Sequence, residues 1–474
     1  MRNKFIYISL LLLFALGCED FVDIDPTHQE AISNGLVDIE DYEAATIGIH
    51  SALRANAYYG RTFGVLLDMM AEDLFESPES LGNRRNQTDW LYNSDDGEIG
   101  NFWLRAYQVL LRANTVLVGI DGVEEDVVGR SNRLKAQALG LRALAHFDLL
   151  RAFGEAYDRN SGARGIPLKL NIDIETPGRN TVAEVYDQIF ADLEESIRLF
   201  GEADQEVTER TFFSELAAHA LMARVALYAG LNDQAIQSAT TVINDASTGL
   251  ISNGDFTTIW RDARTDAGST GAQEVIWEVA YTPGQDSRIG SSIYFVPNNR
   301  VAFRPSALWL NLFGTPADDI RYGSYIREDP RRNNDLIPSK YETNDGFNNF
   351  KVFRMGEMYL IRAEARMNSG DAANASADLN TLRGARIANY TDENLTGAAL
   401  ANAIAVERRK ELFLEGHRWF DIRRAGGAID RGPDFAAPAV TQSLPAGDFR
   451  FIWPIPLGEL DANPNIRGDQ NPGY

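Results

Sequence analysis

Residues 400–424 read LANAIAVERRKELFLEGHRWFDIRR, and this stretch decides the fold more than any other. Leu412 and Trp419 lie seven residues apart, a spacing that places two side chains on one face of a helix. Gly416 interrupts the pattern, and a glycine at such a point favours a bend or the close approach of another segment. The spacing therefore predicts a helix whose apolar face packs against the rest of the fold.

The charged residues of this stretch are spaced for pairing along one flank of the helix. Glu415 and Arg418 lie three residues apart, as do Asp421 and Arg424, which is close enough for ion pairing. One interpretation is a catalytic or ligand-binding site. The other is a packed helix whose flanking charges neutralise one another, an arrangement common on proteins. The regular spacing favours the second interpretation.

The same stretch resembles the signature near the C-terminus of the SusD/RagB-like outer-membrane lipoproteins. The residues that carry this resemblance are Glu407, Arg408, Arg409, Glu411, Leu412, Glu415, Gly416, Arg418, Asp421 and Arg424. Other segments are similar to the same family: VFRMGEMYLIRAEARMNSG at residues 352–370, IPL at 166–168, WPIP at 453–456 and NPGY at 471–474. The resemblance therefore extends over most of the chain.

The resemblance implies both a fold and a function. It implies a mainly α fold of degenerate tetratricopeptide-like helical hairpins with an irregular loop-rich region. It also implies non-catalytic binding of an oligosaccharide or polysaccharide at the cell surface and its delivery to a SusC-like TonB-dependent transporter. A peptide ligand is the alternative within the family. A surface glycosidase and a protein-interaction scaffold are the alternatives from other classes.

Composition limits the functions that remain open. The chain has 474 residues, a formal net charge of −23 at pH 7 and a single cysteine. Charge-driven binding to nucleic acid or anionic lipid needs a basic surface, so neither is expected. One cysteine cannot form an intrachain disulfide or supply a zinc site built on two or more cysteines. No metal or cofactor is predicted.

The N-terminus has the features of an export signal. Arg2 and Lys4 precede an apolar run over residues 5–16, which is short for a membrane-spanning helix but suits a signal peptide. Gly17 and Cys18 follow, and a cysteine placed in this way resembles a bacterial lipobox, in which Cys18 is acylated. An ordinary signal peptide with an incidental cysteine is the alternative. The expected segments are a signal peptide over residues 1–17 and a lipidated tether over residues 18–35. The resemblance implies an outer-membrane protein that faces the cell exterior and touches the membrane only through its lipid.

Helical periodicity divides the remaining chain into three parts. Residues 36–249 contain amphipathic segments with alanines at spacings that let two helices approach closely, as in helical-hairpin repeats. Residues 250–350 are rich in glycine, proline, asparagine and aromatic residues, and predict a loop-rich ligand region with one short strand near residues 274–281. Helical patterns return over residues 351–474. The family resemblance implies that the three parts form one compact unit.

The sequence contains none of the common catalytic motifs. The chain has no Gly-rich phosphate loop and no G-x-S-x-G nucleophile motif, and its five histidines are scattered. Carboxylates are plentiful, so a glycosidase pair stays open, although the sequence singles out no two of them. Asp95, Asp96 and Glu98 could hold calcium through oxygen ligands, but they lack an EF-hand pattern, and a solvated acidic turn is the alternative.

Sugar binding requires exposed aromatic rings beside hydrogen-bonding side chains. The loop over residues 77–101 offers both, and its place before a helix is similar to that of the glycan-contacting loop of the family. Trp90 is the best candidate for a ring that stacks on a sugar. The candidates in this loop are Trp90, Tyr92, Asn83, Arg85 and Asn86. The candidates in the loop-rich block are Tyr281, Arg288, Tyr294, Asn298 and Arg300.

Overall fold

Helices form most of the structure, as the amphipathic periodicity predicts. The computed structural model describes residues 35–124, 127–260, 273–281, 289–295, 300–341, 348–435 and 441–474. The helices are α1 Ile39–Leu53, α2 Leu67–Met70, α3 Arg85–Thr88, α4 Gly97–Gly119, α5 Arg130–Phe153, α6 Val182–Phe200, α7 Glu215–Tyr228, α8 Asn232–Asn244, α9 Ile289–Ile293, α10 Ala307–Leu310, α11 Ile320–Tyr325, α12 Met355–Asn368, α13 Ala372–Arg386, α14 Gly397–Glu411, α15 Arg418–Arg424 and α16 Leu457–Ala462. The predicted signal peptide and Cys18 lie outside the described residues.

Short strands join the loop-rich parts of the chain to one another. They are β1 Leu74–Glu76, β2 Val275–Val279, β3 Tyr294–Phe295, β4 Arg300–Val301, β5 Phe303–Pro305, β6 Ile326–Asp329, β7 Asp335–Pro338, β8 Phe350–Arg354, β9 Ile429–Asp430 and β10 Ser443–Leu444. Each pairs with one antiparallel partner: β1 with β5, β2 with β8, β3 with β4, β6 with β7 and β9 with β10. The strand predicted near residues 274–281 is confirmed as β2.

Helices that follow one another in the chain pack against one another. The helix α4 packs on α1 and α5, α5 on α6, α7 on α8, and α12 on α13 and α14. The loop-rich block of residues 250–350 lies between α8 and α12 in the chain, yet these two helices pack directly against each other. The block is therefore a long excursion from a continuous helical body, and the predicted mainly α fold is confirmed.

Small residues allow the close helix packing that the alanine-rich pattern predicts. A Cβ atom added at Gly140 in α5 would lie 2.0 Å from the Phe213 ring, so a larger residue would displace that ring. Ala217, Ala220 and Ala223 of α7 are fully buried. Close packing of this kind produces an extensive core that reaches from α1 to the C-terminal tail, and a smaller apolar cluster lies between α12, α13 and α14.

The C-terminal stretch departs from the continuous helix that its spacing predicts. The helix α14 ends at Glu411 and α15 begins only at Arg418. Gly416 lies between them with φ +76°, and a Cβ there would lie 2.3 Å from the Phe63 carbonyl oxygen. The close approach and the bend expected at this glycine are therefore confirmed, whereas the single helix is wrong.

A buried carboxylate fixes this bend. The backbone N–H groups of Leu414 and Gly416 donate to the Asp68 carboxylate at 3.2 and 2.8 Å. Leu414 adopts φ +61°, an unfavourable conformation for a residue with a side chain. Burial raises the pKa of Asp68 well above its usual value. The bend is thus stabilised by a residue that is remote in sequence.

Of the two ion pairs predicted within residues 400–424, one forms and the other does not. Arg424 Nε donates to Asp421 Oδ1 at 2.9 Å, so that pair is confirmed. Glu415 instead accepts from Arg354 Nε at 2.8 Å, and Arg418 pairs with Glu72. The prediction of a Glu415–Arg418 pair is wrong because the bend at Gly416 separates the two side chains onto different neighbours.

Buried charges extend this network around Glu411. Arg354 and Arg386 donate to Glu411 Oε1 at 3.0 and 2.9 Å, and Arg321 donates to Glu411 Oε2 at 3.1 Å. All four side chains are fully buried. The arginines hold the pKa of Glu411 well below its usual value. We name Arg321, Arg354, Arg386 and Glu411 the arginine cluster. Its role is to join β8, α11, α13 and α14.

Candidate functional site

A cleft of about 390 Å³ opens where the loop over residues 77–101 meets the β1–β5 sheet. Strand pairing positions its first wall: Phe75 lies opposite Arg304, and Glu76 lies opposite Phe303. The Ser77 N–H donates to the Ala302 carbonyl at 2.9 Å, which continues this pairing into the start of the loop. The second wall comes from α3 and the third from the segment of residues 431–435.

Three phenylalanines contribute to the apolar lining of this cleft, together with Met69, Leu74 and Pro78. Phe303 and Phe435 are buried, and Phe75 is half-buried. The Phe75 and Phe435 ring centroids are 6.2 Å apart with an interplanar angle of 65°, an edge-to-face contact. This contact holds the Phe75 ring in place while part of it stays accessible. Phe75 is therefore the aromatic ring that this cleft can offer to a ligand.

Charged side chains lie beside this ring. The Arg85 side chain is 60% exposed, and its Nε donates to Glu76 Oε2 at 3.2 Å. Asp434 Oδ2 accepts from the Ala307 N–H at 2.7 Å. Asp89 also lines the cleft, and burial raises its pKa. The cleft thus combines one accessible ring with a guanidinium and several carboxylates, which can donate to and accept from hydroxyl groups.

Trp90 does not line the cleft as a free ring, and the prediction that it stands exposed is wrong. Only 2% of the residue is exposed, and its Nε1–H donates to the Met70 carbonyl at 2.9 Å. The Arg431 guanidinium lies 4.0 Å from the ring centroid and covers one face. Trp90 is buried because this arginine, from a distant part of the chain, lies between it and the cleft.

Arg431 links the buried tryptophan to the cleft surface. Its Nη2 donates to the Thr88 and Met70 carbonyls at 2.6 and 3.1 Å. Its guanidinium also lies 4.9 Å from the Phe435 centroid, so it is held between two rings. Desolvation lowers the pKa of Arg431 to about 10. Trp90 therefore acts on the site through Arg431, as a support beneath the cleft.

Tyr92 is also buried, contrary to prediction, with 4% exposure. Its hydroxyl donates to the Arg450 carbonyl, and its ring stacks on Tyr474 with centroids 6.4 Å apart. Tyr92 is buried because the C-terminal tail covers it, although its neighbours in the loop are polar.

The polar candidates of the same loop are accessible. Asn83, Arg85 and Asn86 are exposed. Arg85 opens α3 and lines the cleft, whereas the other two residues lie on either side of it in the chain. Of the five candidates predicted in this loop, Arg85 alone lines the cleft.

The second predicted group is not brought together at this cleft. Tyr281 is buried, and its N–H donates to Asn349 Oδ1 at 3.0 Å, so the expectation of an accessible ring is wrong. Tyr294 and Arg300 belong to the paired strands β3 and β4. Arg288 and Asn298 lie outside the described residues. The prediction for this group therefore stays open at Arg288, Tyr294, Asn298 and Arg300.

The acidic turn before α4 already has protein partners. Asp96 caps the helix by accepting from the Glu98 and Ile99 N–H groups at 3.0 and 3.2 Å. Glu98 pairs with Arg61 and Arg84 at 2.7 and 2.9 Å. Across the described ranges, no group of three or more histidine, cysteine, aspartate or glutamate side chains is arranged to hold a metal ion.

Sequence reasoning missed the lining that comes from segments far apart in the chain. The sequence pattern predicts a helix over residues 63–75, and this prediction is wrong at its end, because β1 begins at Leu74 and pairs with β5. Arg431 and Phe435 follow β9 in a segment without periodicity. Pro78, which lines the cleft just after β1, is a signal that could have ended the helix earlier.

None of the helices in the part of the chain that the structure describes has the length and apolar character needed to cross a bilayer.

Comparison with known proteins gives consistent matches at both ends of the chain. Residues 329–474 match the model of the SusD family, and residues 29–227 match a model described as starch-binding associating with outer membrane. A SusD-like protein of Formosa agariphila is 25% identical, with 100% of both chains covered.

Solved structures share the fold. A SusD superfamily protein from Bacteroides thetaiotaomicron has a TM-score of 0.80 at 26% identity, covering 92% of this chain and 100% of its own. Another from Bacteroides vulgatus has a TM-score of 0.81 at 26% identity, covering 92% of this chain and 99% of its own. The fold of this chain therefore recurs in other proteins.

Proposed function

Since the chain belongs to the SusD/RagB-like family, we propose that it binds an oligosaccharide without cleaving it. The observation that carries this proposal is the cleft beside the loop of residues 77–101. It offers the half-buried Phe75 ring next to Arg85, Asp89 and Asp434. The description of starch binding attached to the N-terminal family model supports the same class of ligand.

The geometry of the cleft suits a sugar. The C–H face of a pyranose ring can lie on Phe75, since aromatic faces favour such weakly positive hydrogens. Hydroxyl groups can accept from the exposed Arg85 guanidinium and donate to Asp89 or Asp434. Arg431, held between Trp90 and Phe435, keeps the floor rigid, and a rigid site loses less entropy when ligand binds.

Capture is the proposed mechanism, with transport left to a partner. The proposal includes acylation at Cys18, an outer-membrane protein that faces the cell exterior, and delivery of ligand to a SusC-like TonB-dependent transporter. A lipid anchor keeps a binding protein at a high effective concentration beside a membrane partner, so modest affinity is sufficient. The family description of association with the outer membrane supports this location.

Calorimetric titration of the purified protein with a panel of oligosaccharides tests the proposal. We expect at least one to bind, and Phe75→Ala to weaken that binding about tenfold, which corresponds to about 1.4 kcal/mol. Phe449→Ala is the matched control because Phe449 is a partly exposed ring that does not line the cleft.

Two results would contradict the proposal. Release of shorter sugars from a bound glycan, lost on substitution of Asp89 or Asp434, would favour the surface glycosidase. Binding of peptides with no binding of any glycan would favour the peptide-binding alternative.

A further inference from the structure

Asp89 brings an unpaired carboxylate to the lining of the cleft. It directly follows α3, where its N–H donates to the Arg85 carbonyl at 2.8 Å, and the residue is only 6% exposed. Neither carboxylate oxygen has a hydrogen-bond or ion-pair partner among the residues that the structure describes, and neither is sealed from solvent. Buried carboxylates are almost always paired in proteins, so an accessible unpaired one in a cleft indicates that a ligand supplies the partner.

The two arginines that line the cleft are committed to other partners. Arg85 Nε donates to Glu76 Oε2 at 3.2 Å, and all three nitrogens of the Arg431 guanidinium donate to backbone carbonyls. Desolvation and the nearby Glu76 raise the pKa of Asp89, and the positive charges of Arg431 and Arg85 offset this effect only in part. The described residues therefore leave the Asp89 carboxylate short of positive charge.

The charged lining of the cleft as a whole is also unbalanced. Three carboxylates and two guanidinium groups line it, which leaves one negative charge without a counterpart: Glu76, Asp89, Asp434, Arg85 and Arg431. The rest of the molecule does not supply the missing charge, because the chain has a formal net charge of −23. The potential in the cleft therefore favours a cation over a neutral or anionic group.

A sugar amine meets both requirements of Asp89. A hydroxyl group can donate to a carboxylate but leaves its charge unbalanced, whereas an ammonium group supplies the donor and the opposite charge together. The amine of an amino sugar lies at the edge of the pyranose ring. A ring whose C–H face lies on Phe75 therefore presents its edge groups to the polar walls of the cleft, to which Asp89 belongs.

We propose that the cleft selects a sugar that carries a protonated amine, and that Asp89 is the residue that determines this specificity. The ammonium group donates to the Asp89 carboxylate while the sugar ring lies on Phe75. This inference rests on the proposed sugar binding and narrows it to one class of sugar. N-acetylation of the amine removes the charge and should therefore remove the preference.

Three β-1,4-linked disaccharides that differ only in the group on C2 are the probes. They are the glucosamine disaccharide with free amines, cellobiose with hydroxyl groups, and N,N′-diacetylchitobiose with acetamides. Calorimetry is run at about pH 6, above the usual pKa of a carboxyl group and below that of an amine. We expect the amine disaccharide to bind at least about tenfold more tightly than either neutral disaccharide, since charge-assisted hydrogen bonds are roughly twice as strong as neutral ones.

NMR locates the bound disaccharide. In the protein with ¹³C-methyl methionine, Met69 reports on the cleft that it lines, and Met69→Leu assigns its signal. We expect the amine disaccharide to shift this signal saturably.

A matched pair of variants tests the role of Asp89. Asp89→Asn removes the charge, keeps the shape and breaks no side-chain hydrogen bond within the described residues, so the fold is not endangered. It should lower the affinity for the amine disaccharide to that for cellobiose. Asp95→Asn removes the same charge from an exposed residue of the same loop that does not line the cleft, and it should leave the preference for the amine intact.

The failure of this inference is distinguishable from the failure of the proposed function. Cellobiose that shifts the Met69 signal and binds as tightly as the amine disaccharide would leave the proposed sugar binding in place and overturn the specificity. Equal losses of amine binding in the Asp89→Asn and Asp95→Asn proteins would overturn it too, because general attraction to an acidic protein would then account for the preference. An amine disaccharide that leaves the Met69 signal unmoved would also overturn the inference, and the wider oligosaccharide panel then decides the proposed function.

Discussion

The arginine cluster and the cleft both contain arginine–carboxylate pairs, but the pairs are buried in the cluster and exposed in the cleft. In the cluster, Arg321, Arg354 and Arg386 are completely buried and converge on Glu411. In the cleft, Arg85 is mostly exposed and holds a single carboxylate. Complete burial commits the charges of the cluster to holding distant segments together, whereas partial exposure leaves Arg85 able to exchange partners. Burial, rather than residue type, decides whether a charged side chain holds the fold together or can bind a ligand.

The cluster should fail most severely when its shared carboxylate is neutralised. Glu411→Gln removes the one carboxylate that all three buried guanidinium groups share, which leaves only their other partners, Asp319, Glu274, Glu407 and Glu415, to balance them. We expect a loss of about 3–5 kcal/mol in the free energy of unfolding. Urea denaturation measures this loss. Glu195→Gln is the control, since Glu195 pairs with Arg198 through side chains that are both well exposed, and its effect should be small. Equal losses in the two variants would show that the buried charges of the cluster matter no more for stability than an exposed ion pair.

The bend before α15 should be the next most sensitive feature. Gly416→Ala places a Cβ 2.3 Å from the Phe63 carbonyl oxygen and strains a backbone with φ +76°, so we expect a loss of about 3 kcal/mol. Thermal unfolding followed by circular dichroism measures it.

Gly426→Ala separates the clash from the strain at that bend. Gly426 has φ +63° with no atom near the added Cβ, so its substitution should cost only the backbone strain, about 1 kcal/mol. A cost at Gly416 no larger than that at Gly426 would show that the close approach to Phe63 is unimportant.

Acid should destabilise the folded protein through a buried histidine. Burial lowers the pKa of His50 to about 4, against about 6.5 in an unfolded chain. Between these pH values the unfolded chain binds a proton that the folded protein does not, so stability falls as the pH falls from about 6.5 to 4. The contribution of His50 is about 3 kcal/mol over that interval.

Replacement of this histidine isolates its share of the acid sensitivity. His50→Gln removes the titrating group and keeps an amide that can donate to Gln137, the partner of His50 at 3.0 Å. We expect a flatter dependence of the unfolding free energy on pH between 4 and 6.5, measured by urea denaturation at several pH values. An unchanged slope would assign the acid sensitivity to other groups.

The smallest effect on stability is expected in the cleft itself. Arg85→Ala should leave the free energy of unfolding almost unchanged, because its side chain is 60% exposed. The same substitution should weaken glycan binding about fivefold through loss of a charge-assisted donor. Arg198→Ala is the control in calorimetry, being similarly exposed and paired but remote from the cleft. Loss of stability without loss of affinity would place Arg85 among the structural charges.

Local patterns predicted the helices well, because helix periodicity depends on near neighbours. The strand β2 follows from a local signal as well. Gly416 indicated a bend, but the full separation of α14 from α15 could not be predicted, because Asp68, which fixes it, lies far away in the chain.

The sequence indicated the loop that borders the proposed site but not the aromatic ring that the cleft offers. The loop of residues 77–101 does border a cleft, and Arg85 lines it. The polar residues around Trp90 predicted an exposed ring, yet Arg431 covers it. Phe75 is accessible only through the pairing of β1 with β5. Exposure is a property of contacts between distant segments, which a single sequence does not reveal.

The most direct test of the glycan site is to locate a bound sugar by NMR of the protein with ¹³C-methyl methionine, in which Met69→Leu and Met367→Leu assign two of the signals. An oligosaccharide that binds in calorimetry should shift the signal of Met69, which lines the cleft, and leave that of Met367, which does not line it, in place. The Phe75→Ala protein should need about tenfold more sugar for the same shift. Saturable binding that leaves the Met69 signal unmoved would contradict the assignment of the cleft as the glycan site.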